Sequence, residues 1–300
     1  MSFDYSVLEF LQGIRTAFVG DFAVLVSGLC NKILIIVVFC WLFWCGNKRQ
    51  AYGIGLTFVF SAIVVQGLKI GFAVERPFVR WADIIAYEPA LLTATGFSFP
   101  SGHTQVATSI LGYASLEIKK IWGRVLCFAL VFLVMLSRMV LCVHTPTDVF
   151  VSFVITFAIC TFVHKYQHLF EKRNSSKATV IGVLLAAALL MFTASSVLNG
   201  TEFSMAEDSV ETSLISAVFL VLYYIEVNKI DFNSAGTFGN KVMRFLLGIA
   251  GVLVLYLSIG YIERLNPEIE FVVKNIKNTV VFVWILGVYP MLIKRFRPGN

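Results

Sequence analysis

The amino-acid sequence predicts an all-α integral membrane protein with about nine transmembrane helices. Hydrophobic residues make up 58% of the 300 positions, and only 14% are charged. With a mean hydropathy of +0.82, the chain is too apolar for a globule that is surrounded by water. Apolar segments of near-spanning length recur along it. Basic residues alternate between the intervening loops, as they do in multi-pass membrane proteins.

The first element, residues 1–22, is expected to be a helix that lies in the membrane interface. Apolar residues recur at helical spacing from Phe3 to Ile14, which is typical of an interfacial amphipathic helix. Asp4 and Glu9 stand where a signal peptide would carry basic residues. Cleavage of this segment is therefore not expected.

Nine apolar segments follow, and each is predicted to cross the membrane. They lie at 23–45, 52–74, 101–117, 122–143, 147–164, 178–198, 212–228, 242–262 and 279–294. A polar stretch at residues 165–177 separates the first five segments from the last four. We therefore expect a five-helix core over residues 23–165 and a four-helix C-terminal extension over residues 178–297.

The orientation follows from the basic residues, because cytoplasmic loops are enriched in lysine and arginine. Most of the 24 basic residues fall in loops on one side of the predicted bundle. They are Lys48, Arg49, Lys119, Lys120, Arg124, Lys165, Lys172, Arg173, Lys177, Lys229, Lys241, Arg244, Lys294, Arg295 and Arg297. The opposite loops hold the acidic Glu202, Glu207, Asp208 and Glu211. We expect the N-terminus outside and the C-terminus inside, and we read the net charge of +6 as a topology signal, with no nucleic-acid partner.

The first chemical motif is KIGFAVERP, at the outer end of the second segment. Lys69 and Arg76 are seven residues apart, which places them on one helix face with about 10 Å of rise between them. Pro77 disfavours helix at Arg76, so the guanidinium can turn back toward the lysine. The alternative is that both cations snorkel at the membrane boundary.

The second motif is PSGH, at the start of the third segment. Ser101 is placed as an N-cap, so the amides of the following turn would point outward as an anion site. Gly102 permits a close approach to the backbone. A charged His103 in the first turn of a helix is unfavourable beside the helix dipole, unless it lies next to an anion and transfers a proton. A simple cap without any ligand is the alternative.

The third motif is SRMVLCVHTPTD, residues 137–148. An unpaired arginine at Arg138, inside an apolar run, costs about 2.5 to 3.5 kcal/mol. The helix must end near Cys142 for Arg138 and His144 to meet one ligand. Asp148 has two possible roles. It either bonds the backbone as a capping-box residue after Thr145, or it holds the imidazole of His144 so that one nitrogen stays nucleophilic.

Together the motifs resemble the three-part signature of the type 2 phosphatidic acid phosphatase superfamily. The resemblance rests on Lys-x6-Arg-Pro, Pro-Ser-Gly-His and Ser-Arg-x5-His-x3-Asp in this order on one membrane face, and it covers roughly residues 20 to 165. Thr145 and the pair Val149-Phe150 depart from the common pattern, so the substrate branch is not specified. Some bacterial members carry a comparable multi-helix extension.

The resemblance implies a metal-independent and cofactor-independent phosphatase in the plasma (inner) membrane, with the site facing outward. Lys69, Arg76, Ser101, Gly102 and Arg138 would bind the phosphoryl oxygens. His144 would attack phosphorus and form a phosphohistidine, with Asp148 stabilising its imidazolium. His103 would protonate the leaving alkoxide and then activate water. No carboxylate pair accompanies the motifs in sequence, and Glu75 is the one acid near them.

Several alternatives remain open at this stage. The expected partners are a phosphorylated lipid substrate and membrane lipids, and the oligomeric state is not predicted. Phosphatidate, phosphatidylglycerophosphate, an isoprenyl pyrophosphate and a sphingoid phosphate all fit the motifs. A lipid phosphotransferase would use the same intermediate. A transport or scaffold protein with an inactive site is the third class.

The orientation is testable by labelling. In a background without native cysteines, Cys at Ala82, beside Trp81, should react with an impermeant thiol reagent applied from outside, and Cys at Ser175 should not. The charge asymmetry places these two loops on opposite faces. The reverse labelling pattern would place the three motifs on the cytoplasmic face.

Overall fold

The computed structural model describes residues 2–28, 32–170, 175–265 and 267–296, and within these ranges it contains helices and no β-strand. The predicted all-α class is confirmed. Three of the predicted cytoplasmic cations, Lys172, Arg173 and Arg297, lie outside the described residues.

The helices follow one another with short connections. They are α1 (Phe3–Ile14), α2 (Ala17–Gly28), α3 (Lys32–Cys45), α4 (Lys48–Phe72), α5 (Pro77–Arg80), α6 (Glu88–Leu91), α7 (Gly102–Ala107), α8 (Tyr113–Glu117), α9 (Ile121–Val140), α10 (Pro146–Lys165), α11 (Ser175–Leu198), α12 (Phe203–Ile225), α13 (Phe238–Leu265), α14 (Glu270–Val283) and α15 (Tyr289–Phe296). Single π-helical turns join α7 to α8 (Thr108–Gly112), extend α12 (Glu226–Ile230) and join α14 to α15 (Trp284–Val288).

Seven helical stretches in the described part of the chain are long and apolar enough to cross a membrane. An eighth is added if the bent pair α1 and α2, which meet at 118°, counts as one span. Large apolar side chains such as Phe132, Leu184 and Leu257 are exposed on the outside of the bundle. Such a surface suits lipid and not water, so the protein is a multi-pass membrane protein.

Two of the nine predicted spans differ from a single long helix. Over residues 23–45, the described residues form the end of α2 and the 14-residue α3. The third span, 101–117, runs through α7, a π turn and α8, and its length of about 24 Å is less than the 30 Å hydrocarbon layer. Hydropathy alone does not reveal such breaks, because all these pieces are apolar.

The N-terminal residues form two helices. In α1, Leu8 and Leu11 are buried against the protein, while Phe3 and Phe10 are exposed. The predicted boundary at residue 22 lies within α2. The interfacial location of this region stays a prediction.

The helix α12 begins earlier than predicted. It starts at Phe203, nine residues before the expected segment, so Glu207, Asp208 and Glu211 lie on a helix and not in a loop. The reason is that these acids have partners inside the bundle. Lys274 on α14 is 3.0 Å from Glu207 and 3.1 Å from Glu211, so their charges are not exposed to lipid.

At the opposite end of the bundle, two of the predicted cytoplasmic cations are bound within the protein. Lys48 lies 2.7 Å from the buried carboxylate of Glu226 and donates to Phe232 O at 2.9 Å. Arg244 is buried and donates to Trp44 O at 2.7 Å. These contacts join α3 and α4 of the core to α12 and α13 of the extension.

The central helix is α4, which packs against α3, α7, α8, α10, α11 and α12. Small residues allow this close approach, as is common between membrane helices. A Cβ atom added at Gly53 would lie 2.0 Å from the ring of Tyr113, and one at Gly55 would lie 2.3 Å from Phe219 on α12. The core and the extension therefore share one packed interior.

This packing predicts an asymmetry between two glycines on α4. Gly55→Ala should lower stability by about 1 to 3 kcal/mol, because the buried Phe219 ring has to move. Gly67→Ala is the matched control, since the nearest atom to its added Cβ, from Leu189, is 3.8 Å away. Thermal unfolding midpoints in detergent measure both changes. Equal midpoints for the two variants would contradict the packing of α4 against α12.

Candidate active site

Arg76 is placed by the turn that follows α4. The helix ends at Phe72, and Ala73 adopts a left-handed conformation with φ 47°. Arg76 itself is extended, with φ −71° and ψ 153°, and precedes Pro77 at the start of α5. The chain therefore leaves the helix four residues before Arg76, and the prediction that Lys69 and Arg76 share one helix face is wrong. The extended backbone at Arg76 itself agrees with the steric demand of the following proline.

The guanidinium of Arg76 is 5% exposed and is fixed on several sides. Its Nη2 donates to Thr95 O at 2.5 Å, and its Nε donates to Gly96 O at 3.2 Å. Its Nη1 donates to Val143 O at 3.0 Å and lies 3.2 Å from Nε2 of His144. Backbone carbonyls from two loops thus offset the loss of water around the buried charge.

Lys69 lies in the last turn of α4 and is 6% exposed. Its ammonium group donates to the carbonyl oxygen of Phe97. Neither Lys69 nor Arg76 extends to a water-exposed surface, so the snorkelling alternative does not describe them. Both cations are held inside the protein by acceptors from the same short segment.

That segment, Thr95–Ser98, is called the strap below. Its first three carbonyl oxygens are the acceptors for Arg76 and Lys69 just described. Ser98 fixes its other end, because the Ser98 amide donates to Val74 O at 2.7 Å and its hydroxyl donates to Oδ2 of Asp148 at 2.6 Å. The strap therefore contacts residues from the first and third sequence motifs.

The second motif forms the start of α7. Ser101 is the N-cap, and its hydroxyl accepts from the Thr104 amide at 3.4 Å. The predicted cap is confirmed. No heavy atom lies within 4 Å of a Cβ built on Gly102, so the backbone there borders open space. His103 follows in the same turn and lines the cavity described below.

Arg138 lies in the last turn of α9 and is fully buried. Its Nη1 donates to the hydroxyl of Ser27 on α2 at 2.6 Å and lies 3.5 Å from the hydroxyl of Thr93. A third cation is thus held by hydroxyl groups from α2 and from the loop that follows α6.

His144 and Asp148 lie where α9 gives way to α10. The turn contains Cys142, with φ 56°, so the predicted helix end is confirmed. Thr145 and Asp148 form a capping box: the Asp148 amide donates to the Thr145 hydroxyl at 3.1 Å, and the Thr145 amide donates to Oδ2 of Asp148 at 2.8 Å. The same Oδ2 lies 3.5 Å from Nδ1 of His144. One carboxylate oxygen therefore serves the cap and faces the imidazole.

A cavity of about 590 Å³ brings most of the predicted residues together. Six of the eight line it: Lys69, Arg76, Gly102, His103, Arg138 and His144. The other two lie behind this layer, where the Ser101 amide donates to Asp148 O at 3.1 Å. Residues far apart in sequence thus form one cationic end of one cavity.

From this end the cavity continues between apolar side chains. They include Ile36, Phe39, Ile54, Phe58, Val59, Phe219, Phe282 and Ile285. Lys69 and Ile54 both line the cavity and are 15 residues apart on α4, which corresponds to about 22 Å along the helix. The shape combines a charged end with a long apolar interior.

The extension supplies a wall that the sequence did not reveal. Asp208 and Glu211 on α12, and Lys274 on α14, line the same cavity. Asp208 accepts a hydrogen bond from the Thr95 hydroxyl at 2.7 Å. The expectation that Glu75 is the one acid near the motifs is therefore wrong. The available signal was that these acids belong to the same predicted outer side as the motifs.

The electrostatics of His144 follow from its neighbours. It lies between the membrane spans Ile121–Val140 and Pro146–Lys165. Burial, followed by the positive charges of Arg76 and Arg138, holds the pKa of His144 well below its ordinary value. Because an arginine N–H is always a donor, Nε2 of His144 acts as the acceptor, and the ring proton belongs on Nδ1, which lies 3.5 Å from Oδ2 of Asp148 without a hydrogen bond between them. The imidazole is thus neutral with Nε2 unprotonated.

No group of three or more His, Cys, Asp or Glu side chains with metal-site geometry occurs within the described residues. The cavity chemistry defined by these residues is cationic and hydrogen-bonding. It suits an anion with several oxygen atoms.

Comparison with known proteins identifies the class. Residues 50–172 match the family model of the PAP2 superfamily, and residues 212–300 match that of the PAP2 superfamily phosphatase transmembrane extension. The chain therefore carries a PAP2 superfamily domain followed by the transmembrane extension of that superfamily. The family resemblance drawn from the three motifs is confirmed.

Among curated proteins, the chain is similar to phosphatidylglycerophosphatase B of Escherichia coli (strains K12 and O157:H7) and of Shigella flexneri. The identity is 28% in each case, and the alignment covers 41% of this chain and 65% of the relative. The chain thus spans just under two thirds of the length of these relatives. No solved structure matches it significantly.

Proposed function

We propose that this protein is a lipid phosphatase. It would hydrolyse a phosphate monoester, or a pyrophosphate, on a membrane lipid through a phosphohistidine intermediate. The observation that carries the proposal is the burial of Lys69, Arg76 and Arg138 around an unprotonated His144 nitrogen at the end of an apolar cavity. The family of the chain supports the same chemistry.

The nucleophile in this proposal is Nε2 of His144. Its lone pair would attack phosphorus and form the N–P bond, while the bond from phosphorus to the lipid oxygen breaks. The imidazole then carries a positive charge, which the Asp148 carboxylate near Nδ1 would stabilise. The Thr145 backbone amide, which donates to Oδ2, keeps that carboxylate in place.

The cations would bind the phosphoryl oxygens. Charge spreads over the equatorial oxygens in phosphoryl transfer, so fixed donors lower the barrier without reorganisation. Lys69, Arg76 and Arg138 supply the charge, and the α7 amides after Ser101, with the open space at Gly102, supply neutral donors. Because Nη1 of Arg76 lies 3.2 Å from Nε2 of His144, substrate binding would replace this contact, with the Arg76 N–H donating to a phosphoryl oxygen and Nε2 facing phosphorus.

His103 would transfer the protons in both half-reactions. As a general acid it would give a proton to the departing alkoxide, and as a general base it would then take a proton from water. That water attacks the phosphohistidine, and inorganic phosphate leaves with His144 restored to its neutral form. The placement of His103 on the cavity wall supports this role.

The substrate class follows from the cavity. Its apolar interior suits a hydrocarbon chain, because each buried CH₂ contributes about 0.8 kcal/mol. Phosphatidylglycerophosphate is the first candidate because the curated relatives carry its name. Phosphatidate, an isoprenyl pyrophosphate and a sphingoid phosphate share the same chemistry. The proposed location is the plasma (inner) membrane, with the site outside, the N-terminus outside and the C-terminus inside.

The decisive experiment measures phosphate release from these lipid phosphates by the purified full chain in detergent. We expect hydrolysis of at least one of them, insensitivity to EDTA, and inhibition by vanadate, which mimics the trigonal-bipyramidal phosphoryl group among the cations. Loss of turnover in EDTA with recovery in Mg²⁺ would contradict the mechanism.

The matched control is His144→Ala, which should abolish release while keeping the thermal midpoint within a few degrees. Retained release in this variant would rule out the phosphohistidine. Transfer of the phosphoryl group to an added acceptor lipid instead of water would identify a phosphotransferase. No reaction with any lipid phosphate would indicate a transport or scaffold role.

A further prediction separates the two contacts of Asp148. Asp148→Asn keeps a side-chain oxygen that can accept from the backbone amide, but it loses the negative charge. Turnover should therefore fall by orders of magnitude with little change in thermal midpoint. A comparable aspartate change in a serine protease lowers turnover about 10⁴-fold. Thr145→Ala removes the capping hydroxyl, and it should cost about 1 kcal/mol of stability while most activity stays. A near-wild-type rate in Asp148→Asn would assign the carboxylate to the cap alone.

A further inference from the structure

We propose that the C-terminal extension positions the phosphate-binding cations of the core by fixing the strap, with Asp208 as the positioning residue. The inference builds on the proposed function, since it assigns a task to residues outside the three motifs. It rests on three independent contacts between the strap and α12, one for each of the residues Thr95, Gly96 and Phe97.

The first contact is polar. The hydroxyl of Thr95 donates to Oδ2 of Asp208 at 2.7 Å, which is the short distance typical of a charge-assisted hydrogen bond. The carbonyl oxygen of the same Thr95 accepts from Nη2 of Arg76. One residue therefore connects the carboxylate of the extension to the guanidinium of the core.

The second contact is a close backbone approach. Gly96 has φ +60°, in the left-handed region that favours glycine. A Cβ added there would lie 3.2 Å from the carbonyl oxygen of Met205 and 3.8 Å from Oδ2 of Asp208. The strap thus lies directly on the first turns of α12, and its Gly96 carbonyl accepts from Nε of Arg76.

The third contact is apolar. Phe97 is buried in a cluster with Ile70 of α4 and Ala206 of α12, and Met205 packs against the same cluster. The Phe97 carbonyl holds Lys69, one residue before Ile70. The extension therefore packs against the strap at the point where the strap binds the second cation.

Through these contacts, the extension determines the orientation of the two cationic side chains. Arg76 and Lys69 are buried, so their orientation depends on the strap carbonyls that accept from them. If the strap moves, these donors lose alignment, and donors that are misaligned by about 1 Å bind a phosphoryl group far less well. Asp208 would thus act on the reaction through the strap without touching the substrate.

The test uses four variants of the full chain in detergent: Asp208→Ala, Thr95→Val, Thr95→Ser and the double variant Asp208→Ala with Thr95→Val. Two quantities are measured. One is kcat/KM for the lipid phosphate that the wild type hydrolyses best. The other is the dissociation constant of vanadate, obtained from its concentration-dependent rise in thermal midpoint.

We expect Asp208→Ala and Thr95→Val each to lower kcat/KM about fivefold and to weaken vanadate binding by a similar factor. Vanadate is an analogue of the transition state, so its affinity should fall together with catalysis when the anion-binding groups are misaligned. Thr95→Ser keeps the hydroxyl and should stay near wild type. The double variant should lose no more than either single variant, because both remove the same hydrogen bond.

The control is Glu202→Gln, which removes one negative charge from the residue that precedes α12. Glu202 is exposed and contacts Ser204, so both measured quantities should stay at the wild-type value. A loss in this variant equal to that of Asp208→Ala would assign the effect to the general field of the acidic end and overturn the inference.

Other outcomes also test the inference. Wild-type values in Asp208→Ala and Thr95→Val overturn the inference. So does a lower kcat/KM with unchanged vanadate affinity, because it reports a smaller folded fraction instead of an altered anion site. If the wild type hydrolyses no lipid phosphate, the proposed function fails, while the vanadate titration still tests the strap. Absence of vanadate binding to the wild type overturns both.

Discussion

The structure depends on the burial of three cationic side chains at one end of a membrane-embedded bundle. Lys69, Arg76 and Arg138 are each at most 6% exposed, and burying a charge without partners costs several kcal/mol. Strap carbonyls accept from Lys69 and Arg76, and a serine hydroxyl accepts from Arg138. Such neutral acceptors offset part of the loss of water around the buried charges. In the proposed function, these ordered cations would attract an anion.

The acceptors come from distant parts of the chain, so the site exists only when the bundle is packed. Ser27 on α2 is 111 positions from Arg138, and Val143 is 67 positions from Arg76. Packing of α2 against α9 brings Ser27 to Arg138, while α4 packs closely on α8 and α12 through Gly53 and Gly55. Because α12 packs on both α4 and the strap, the extension belongs to the same cooperative unit as the site. Stability and cation geometry are therefore coupled.

The sequence was sufficient where a rule acts over a few residues. Pro77 fixes the backbone of Arg76, Ser101 caps α7, and the spacing from Thr145 to Asp148 forms the capping box. It was insufficient where the partner is a backbone carbonyl, since the strap carbonyls leave no side-chain pattern. The sequence also misplaced Asp208. Acids were expected in loops, whereas the structure places them on α12, where they line a polar cavity. The break within the span at 101–117 was not predicted, because its helical pieces are all apolar.

The two polar walls of the cavity differ in charge, and in the proposed function this difference would restrict how a phosphorylated lipid can enter. Lys69, Arg76 and Arg138 face the cavity from the core, whereas Asp208, Glu211 and Lys274, which pairs with Glu211, face it from the extension. A phosphate dianion would be attracted to the first wall, and the low-dielectric surroundings would strengthen this attraction. The hydrocarbon chain has the apolar interior as its favourable environment. The phosphoryl group would thereby be directed toward His144, and Asp208 would act on its binding through the strap even though it belongs to no catalytic motif.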